Sequence, residues 1–251
     1  MIRTCLKATA LGLIQYGIRQ SSTEACLRSL RFETGSISIR VFCVIVLILA
    51  LGGCVETRFE SPLGDNIETC DVHWKGLWAD PESADEASAV YVDDECHFIV
   101  LDQPEKGGPI KQIHVPMNYV HTDGKDYLVV ADTSLKGLVE LKSPFGIDPP
   151  PDKSFFFARY QIRGDRLEVN QVDSERVAKL VIDGKLDGTV SKSGNDLHVF
   201  VRGNRARMLE IVRTQSIFQS KSPTKLVRRK QTVDEFEQSV IHSQHNKSRP
   251  E

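Results

Sequence analysis

Two cysteine–histidine pairs have the spacing closest to that of a chemical site. Cys70 and His73 are separated by two residues, which is typical of metal ligands, and Cys96 is followed directly by His97. Neighbouring side chains on a strand point to opposite faces, so Cys96 and His97 cannot easily share an ion. The pattern therefore disfavours a metal site and leaves a disulfide between Cys70 and Cys96 as the competing hypothesis.

The sequence contains no recognisable catalytic motif. Gly-x-Ser-x-Gly, His-Glu-x-x-His, a phosphate-binding loop and Gly-x-Gly-x-x-Gly are all missing. The acidic cluster Asp93, Asp94 and Glu95 lacks the ligand spacing of a calcium loop and is typical of a solvated turn. We therefore nominate no catalytic residue, no metal ligand and no cofactor, and predict that the protein is not an enzyme. The histidines have no spacing that makes them converge: His73, His97, His114, His121, His198, His242 and His245.

An apolar run of eleven residues, Val41–Leu51, follows Arg40. It is too short to cross a bilayer core of about 30 Å, but its length and positive flank match the apolar region of a signal peptide. The run ends in Leu51-Gly52-Gly53-Cys54, which resembles the lipobox of bacterial lipoproteins. The resemblance implies that the peptide is cut before Cys54 and that Cys54 carries fatty acids such as palmitate. Because Val55 and not an aspartate follows, the family's sorting rule implies an outer-membrane lipoprotein facing the periplasm.

Residues 1–40 form an unusually long segment before this run. The length indicates a translation start assigned too early, with the true start near Leu30; a cytoplasmic extension on a signal anchor is the alternative. In both cases we expect residues 1–53 to be an N-terminal extension plus signal peptide that takes no part in the fold. Residues 54–71 are then predicted to be a linker after the lipid anchor.

Export also bears on the remaining cysteines. Of the six in the chain, three precede the expected cut and Cys54 would carry the lipid, so the mature chain keeps Cys70 and Cys96. Two thiols in an oxidising periplasm favour one disulfide. It would close a loop of 26 residues and contribute about 3 kcal/mol to stability.

Residues 72–218 are predicted to form a mainly β domain. Short runs of alternating apolar residues are separated by Gly, Asp and Pro turns, as in a meander of antiparallel strands. Two short helices interrupt the pattern. The first, in "VDSERVAKLVIDGKL", has Asp173 or Ser174 as its N-cap and Gly184 as its stop, and the second lies in "GNRARMLEIVRTQ".

The first strand of this domain contains Gly76-Leu77-Trp78, which resembles the Gly-x-Trp that opens the barrel of lipocalins and related calycins. With the meander, "YQIRGDRLEV" and "GKLDGTV", it is similar to the lipocalin-like domains of uncharacterised bacterial lipoproteins. The resemblance covers residues 72–218 and implies a barrel with the tryptophan packed across its closed end. The long "KSPFGIDPPPDKS" loop and the helix between late strands depart from that family. An open β-sandwich of the α+β class is the alternative.

Residues 219–251 are predicted to be a polar, partly disordered or partly helical tail. The tail carries seven basic and four acidic residues, and residues 1–53 carry six and two. Since the whole chain has a net charge of −2, residues 54–218 carry −9. An acidic body argues against nucleic acid as a partner.

Three functional classes remain. We favour a non-catalytic binding or interaction module that is held at the membrane by its lipid and recognises an envelope protein. The alternative is a carrier of a small apolar ligand inside a β-barrel. An undetected enzyme is the third class.

Overall fold

The computed structural model describes residues 55–81, 89–103, 108–138, 147, 151–194, 196–219 and 223–247. Within them the chain is mainly β, as the period-two pattern predicts, with twelve strands and four α-helices. The strands are β1 (Val55–Phe59), β2 (Gly76–Ala79), β3 (Ala89–Val92), β4 (Phe98–Asp102), β5 (Lys111–Val115), β6 (Asn118–Thr122), β7 (Lys125–Ala131), β8 (Phe155–Arg163), β9 (Arg166–Gln171), β10 (Gly188–Ser193), β11 (Asp196–Val201) and β12 (Thr224–Arg229). The helices are α1 (Asp132–Leu135), α2 (Ser174–Ile182), α3 (Arg205–Thr214) and α4 (Val233–Lys247), and a 3-10 turn spans Val72–Trp74.

The strands form one mixed sheet that does not close on itself. Its longer part is an antiparallel path, β6-β7-β8-β9-β12-β2-β3-β4-β5. A branch of β10, β11 and β1 meets this path where Phe59 pairs with Phe155, and in the branch β1 runs parallel to β11. The predicted meander is therefore right for two runs of consecutive strands, β2–β5 and β6–β9, which β12 joins by pairing with β9 and β2. The predicted closed barrel is corrected to an open sheet, which agrees better with the open α+β alternative.

Local chemistry at β5 and β6 explains why the path stays open. A two-residue hairpin between them would need positive φ in its loop, which Pro116 cannot adopt. The outer edge of β6 is instead bonded to Glu68, whose amide donates to the Tyr119 carbonyl over 2.9 Å. The Tyr119 amide donates back to the Glu68 carbonyl over 2.7 Å. Within the described residues, β5 is therefore the terminal strand of the path.

Alternation along the strands sends side chains into different apolar cores. In β7, Leu128 and Val130 face one core, whereas Tyr127 and Val129 face another. We call the first the inner core, because all nine strands of the longer path or the turns beside them contribute to it. The inner core contains Trp74, Trp78, Val90, Val92, Phe98, Val100, Val115, Met117, Tyr119, Leu128, Val130, Leu135, Phe156, Ala158, Tyr160, Leu167, Val169 and Leu226.

Helices cover the opposite face of the sheet in two places. α2 and α3 pack Val177 and Met208 into the second core, together with side chains of β1, β7, β8 and β11. α4 packs Phe236 and Val240 against a third core on β2, β3 and β4, which includes Ile99. Both faces of the sheet's centre are therefore buried, which explains why its strands carry apolar residues at consecutive positions.

The two predicted helices are confirmed. Asp173 caps α2 by accepting a bond from the Arg176 amide, and the chain leaves the helix through Gly184 at φ +69°. Asn204 caps α3 in the same way, accepting from the Arg207 amide over 2.9 Å. α1 is additional to the prediction, and α4 lies in the segment that was predicted to be partly disordered or partly helical.

Two segments predicted to lie outside the β domain contribute to the fold. Within residues 54–71, predicted as a linker, β1 buries Phe59, and Leu63 enters the same core. Within residues 219–251, predicted as a polar tail, β12 pairs with β9 and β2, and α4 covers the third core. The strand sequences "VETRF" and "TKLVRR" are rich in charged residues, so they show no extended apolar alternation that would reveal them.

Candidate functional site

A disulfide ties the turn before β2 to the turn between β3 and β4. Cys70 and Cys96 lie at disulfide distance, with their Cα atoms 5.4 Å apart, inside the range of about 4.4–6.8 Å that such bonds require. The predicted pairing is therefore confirmed. We call this region the disulfide end; it comprises the disulfide, Asp71, Trp74 and Arg228 with the side chains that contact them.

Asp71 is the polar centre of the disulfide end. Its Oδ1 accepts a bond from the His73 amide over 2.9 Å and lies 2.7 Å from Nδ1 of the same histidine. Its Oδ2 accepts a bond from the Tyr160 hydroxyl over 2.5 Å, which links residues 89 apart in the chain. Asp71 is 7% exposed, so these bonds replace the water that its carboxylate loses on folding.

The surroundings fix the protonation of these groups. Burial raises the pKa of the Asp71 carboxyl, but hydrogen bonds from Tyr160 and His73 outweigh burial, and the net result is a lowered pKa. Burial and the nearby Asp71 carboxylate raise the pKa of the Tyr160 hydroxyl, and the same two causes raise that of Tyr119. At neutral pH the set holds one carboxylate and two neutral phenols. The bonds of Asp71 to Tyr160 and His73 anchor the turn. The Asp71 carboxyl and the two phenols do not offer a proton donor or acceptor matched to neutral pH.

Aromatic rings fill the inner core beside Asp71. The Trp74 ring centroid lies 5.2 Å from that of Tyr160, 5.6 Å from Phe98 and 6.2 Å from Tyr119. Trp78 meets Trp74 edge to face, and its indole N–H donates to the Trp74 carbonyl over 2.7 Å. These spacings are those of rings packed in direct contact, as in a solid protein core.

Arg228 covers the outer side of this aromatic cluster. Its guanidinium lies 4.2 Å from the Trp78 ring centroid, and Nη2 donates to the His73 carbonyl over 2.9 Å. Nη1 donates to the Lys75 carbonyl, and Nε lies 3.4 Å from Asp165 Oδ1. A basic residue of the predicted tail thus belongs to the packing of the fold.

One group near the disulfide has the composition of a metal site. Ligand atoms of Asp93, Glu95 and His97 lie within 4.8 Å of one another. Asp93 Oδ1 already accepts from the His97 amide over 2.8 Å, and Oδ2 lies 2.7 Å from Nδ1 of its ring. Because these bonds and solvent account for the carboxylates, the cluster fits the predicted solvated turn. His114 is the next imidazole, with its ring centroid 6.3 Å from that of His97.

A second region lies where α4 meets the edge of the sheet, and we call it the helix face. It is a surface depression of about 320 Å³ that is lined by Tyr91, Gln112, Thr232, Val233 and Asp234. Thr232 and Glu235 fix the start of α4 as a capping box: the Thr232 amide donates to the Glu235 carboxylate over 2.8 Å. The depression is therefore bounded by a well-anchored helix on one side and by β5 on the other.

The predicted site residues have different outcomes. Cys54 lies outside the described residues, so its acylation stays a prediction. Cys70 and Cys96 come together as expected. Asp71, Tyr160 and Arg228 belong to no sequence motif and were not predicted as site residues. The sequence offered one signal for Asp71: it directly follows Cys70 and precedes Trp74 by three residues.

Comparison of the chain with protein-family models, with curated proteins and with solved structures finds no match. Within the described residues, no helix has both the length and the apolar character needed to cross a bilayer. Function is therefore inferred from the residues of this chain alone.

Proposed function

We propose that the protein is a non-catalytic, lipid-anchored envelope lipoprotein that binds another envelope protein at the helix face. One observation carries the binding part of this proposal: the two regions differ in whether their polar side chains are bonded within the fold or border an open depression. At the disulfide end, Asp71, Tyr160 and Arg228 are engaged within the fold. At the helix face, Gln112 and Asp234 stand around an open depression.

The anchor is supported by the sequence Leu51-Gly52-Gly53-Cys54 after an apolar run. Acylation at Cys54 would place the mature chain on the periplasmic side of the outer membrane. The test compares wild type with Cys54→Ser in cells fed a clickable fatty-acid analogue. We expect labelled, shortened protein from wild type and an unlabelled, uncut precursor from the variant. Equal labelling of both would refute the anchor.

The helix face offers two means of recognising a peptide. β5 ends the long path, with β4 as its ladder partner in the described residues, so its other edge presents backbone donors and acceptors. The adjoining depression, about 320 Å³, is near the lower end of the size range of ligand pockets, about 300–1,000 Å³. Asp234, Glu235 and Glu237 make the start of α4 acidic. The arrangement suits an extended segment with a basic residue.

Site-specific photo-crosslinking tests this surface with a matched control. Gln112 and Gln161 are both exposed strand glutamines, on β5 and β8. A photoreactive amino acid at position 112 should crosslink one envelope protein in intact cells, whereas the same residue at position 161 should not. Equal yields at both positions, or crosslinks only at 161, would contradict the helix face as the binding surface.

A carrier function is the second candidate, and one observation favours it. The Tyr119 hydroxyl is buried in the inner core and has no hydrogen-bond partner among the described residues. A ligand with an apolar body and one polar group would satisfy it. The position of Trp78 of Gly76-Leu77-Trp78 in the inner core also supports a lipocalin-like relationship. The close ring packing around Trp74 favours the binding module over the carrier.

A further inference from the structure

β1 enters the sheet one residue after Cys54. Val55 already pairs with Leu197 of β11, and the ladder continues to the pair of Phe59 and Val201. Consecutive Cα atoms lie about 3.8 Å apart, so a lipid on Cys54 would be joined to the folded body without a flexible tether.

β1 cannot easily detach from the sheet to form a flexible tether. Arg58 is 3% exposed; its guanidinium pairs with Glu56 and lies 5.3 Å from the Phe156 ring centroid. Phe59 is fully buried and stacks on Phe157 with a centroid separation of 4.1 Å. Releasing β1 would expose the apolar Phe59 ring to water and would separate it from Phe157 and the Arg58 guanidinium from Phe156, all of which are unfavourable. The folded body therefore stays close to the anchor.

The register of the branch identifies which end of the sheet is near Cys54. Leu197 pairs with Val55 on one side and with Lys192 of β10 on the other. The turn between β10 and β11 therefore lies at the anchored end. Gly188, which begins β10, pairs with Val201 at the opposite end. The six residues of β10 span about 17 Å between these ends.

We propose that the end of the sheet formed by the β10–β11 turn lies directly against the membrane surface, with phospholipid headgroups as its partner. This inference rests on the proposed acylation of Cys54. The headgroup region of one leaflet is about 5–8 Å thick, so it would contact residues next to Val55, including the exposed Lys192. The body is then held in one orientation at the bilayer, and the protein that it binds must itself reach this membrane surface.

Two single-cysteine labels on the full acylated chain test the orientation. Lys192→Cys marks the end near Val55, and Asp187→Cys marks the exposed far end of β10 as the matched control. Cys54 is blocked by lipid and Cys70 and Cys96 are paired, so a maleimide fluorophore attaches at the new thiol. In phosphatidylethanolamine and phosphatidylglycerol vesicles, a headgroup spin-labelled lipid should quench position 192 several-fold more than position 187. Equal quenching, or stronger quenching at 187, would overturn the inference.

The intact mass of each labelled chain separates this inference from the anchor itself. A chain without acyl groups overturns both, whereas an acylated chain with equal quenching overturns the orientation alone. A further variant inserts about twelve Gly and Ser residues between Cys54 and Val55, a tether with a mean span of about 20 Å. It should stay acylated and lose the difference between the two positions. A difference that survives this insertion would mean that the missing tether does not set the orientation.

Discussion

The disulfide end and the helix face lie on the same sheet but differ in the solvent exposure of their polar side chains. At the disulfide end, the Asp71 carboxylate is buried and bonded to Tyr160 and His73. At the helix face, Gln112 and Asp234 border a depression open to solvent. A buried polar group without its partner costs stability, whereas an exposed one exchanges its bonds with water. Substitutions at the first region should therefore act on folding, and substitutions at the second should act on recognition.

Trp74→Ala should have the largest effect on stability. Trp74 is fully buried and contacts four aromatic rings, so its loss leaves a cavity that the sheet cannot close. We expect a loss of about 3–5 kcal/mol in the free energy of unfolding measured with urea. Val72→Ala, at a 61% exposed site two residues away, serves as the control and should change stability by less than about 0.5 kcal/mol. Similar losses for both would mean that the inner core is not tightly packed.

Replacing Cys70 and Cys96 together by serine should cost about 3 kcal/mol, because the closed loop no longer restricts the unfolded chain. Urea unfolding of the variant against oxidised wild type measures the loss. Alkylation of exported wild type followed by mass measurement, with and without reductant, checks the bond itself. Two thiols alkylated without reductant would contradict the pairing.

Tyr160→Phe and Tyr119→Phe form a matched pair in one core. The Tyr160 hydroxyl donates to an ionised carboxylate, so its removal should cost about 1.5–3 kcal/mol. The Tyr119 hydroxyl is buried without a partner in the described part of the chain, so its removal should be neutral or slightly stabilising. Equal losses in urea unfolding would show that the Tyr160–Asp71 bond does not stabilise this region.

Acid should weaken wild type more than Asp71→Asn. The pKa of Asp71 is lowered in the folded state, so the folded protein binds a proton less readily than the unfolded chain. The resulting stability is fully present above the ordinary carboxyl pKa of about 3.9 and is lost as pH falls through the lower folded value. Urea unfolding at pH 6, 4 and 3 should show the gap between wild type and variant shrinking below pH 4. A constant gap would contradict the lowered pKa.

Gln112→Ala should have the smallest effect on folding. Its side chain is exposed, and its amide meets Glu237 Oε1 at 3.5 Å, so the change in unfolding free energy should stay within about 0.5 kcal/mol. Recovery of the crosslinked partner, read from a photoreactive residue at position 91, should nevertheless fall. Gln161→Ala is the control and should leave both quantities unchanged. Unchanged recovery with Gln112→Ala would place recognition elsewhere.

Local structure could be predicted from the sequence more fully than long-range strand pairing. Ile113, Val115, Met117 and Tyr119 occupy alternate positions in one of the period-two runs, and all four contribute to the inner core or pack against it. The helix that Asp173 caps was also predicted from its sequence. The parallel pairing of β1 with β11 joins residues far apart in the chain, and no local pattern specifies it.

The candidate site was predictable only where chemistry limited the choices. Once four cysteines were assigned to the leader and the lipid, Cys70 and Cys96 could pair only with each other. The bond between Asp71 and Tyr160 spans 89 residues, and either residue alone is an ordinary polar side chain. The packing role of Arg228 was not predicted, because its strand is basic and basic segments are usually solvated.

The intact mass of the protein extracted from outer membranes in mild detergent tests the central claim most directly. A lipid-anchored binding module should have the mass of a chain that begins at Cys54, carries acyl groups and retains one disulfide, with no stoichiometric small molecule bound. A mass that includes residues 1–53 would contradict the anchor. A stoichiometric small molecule that remains with the folded chain would contradict the binding module and establish the carrier in its place.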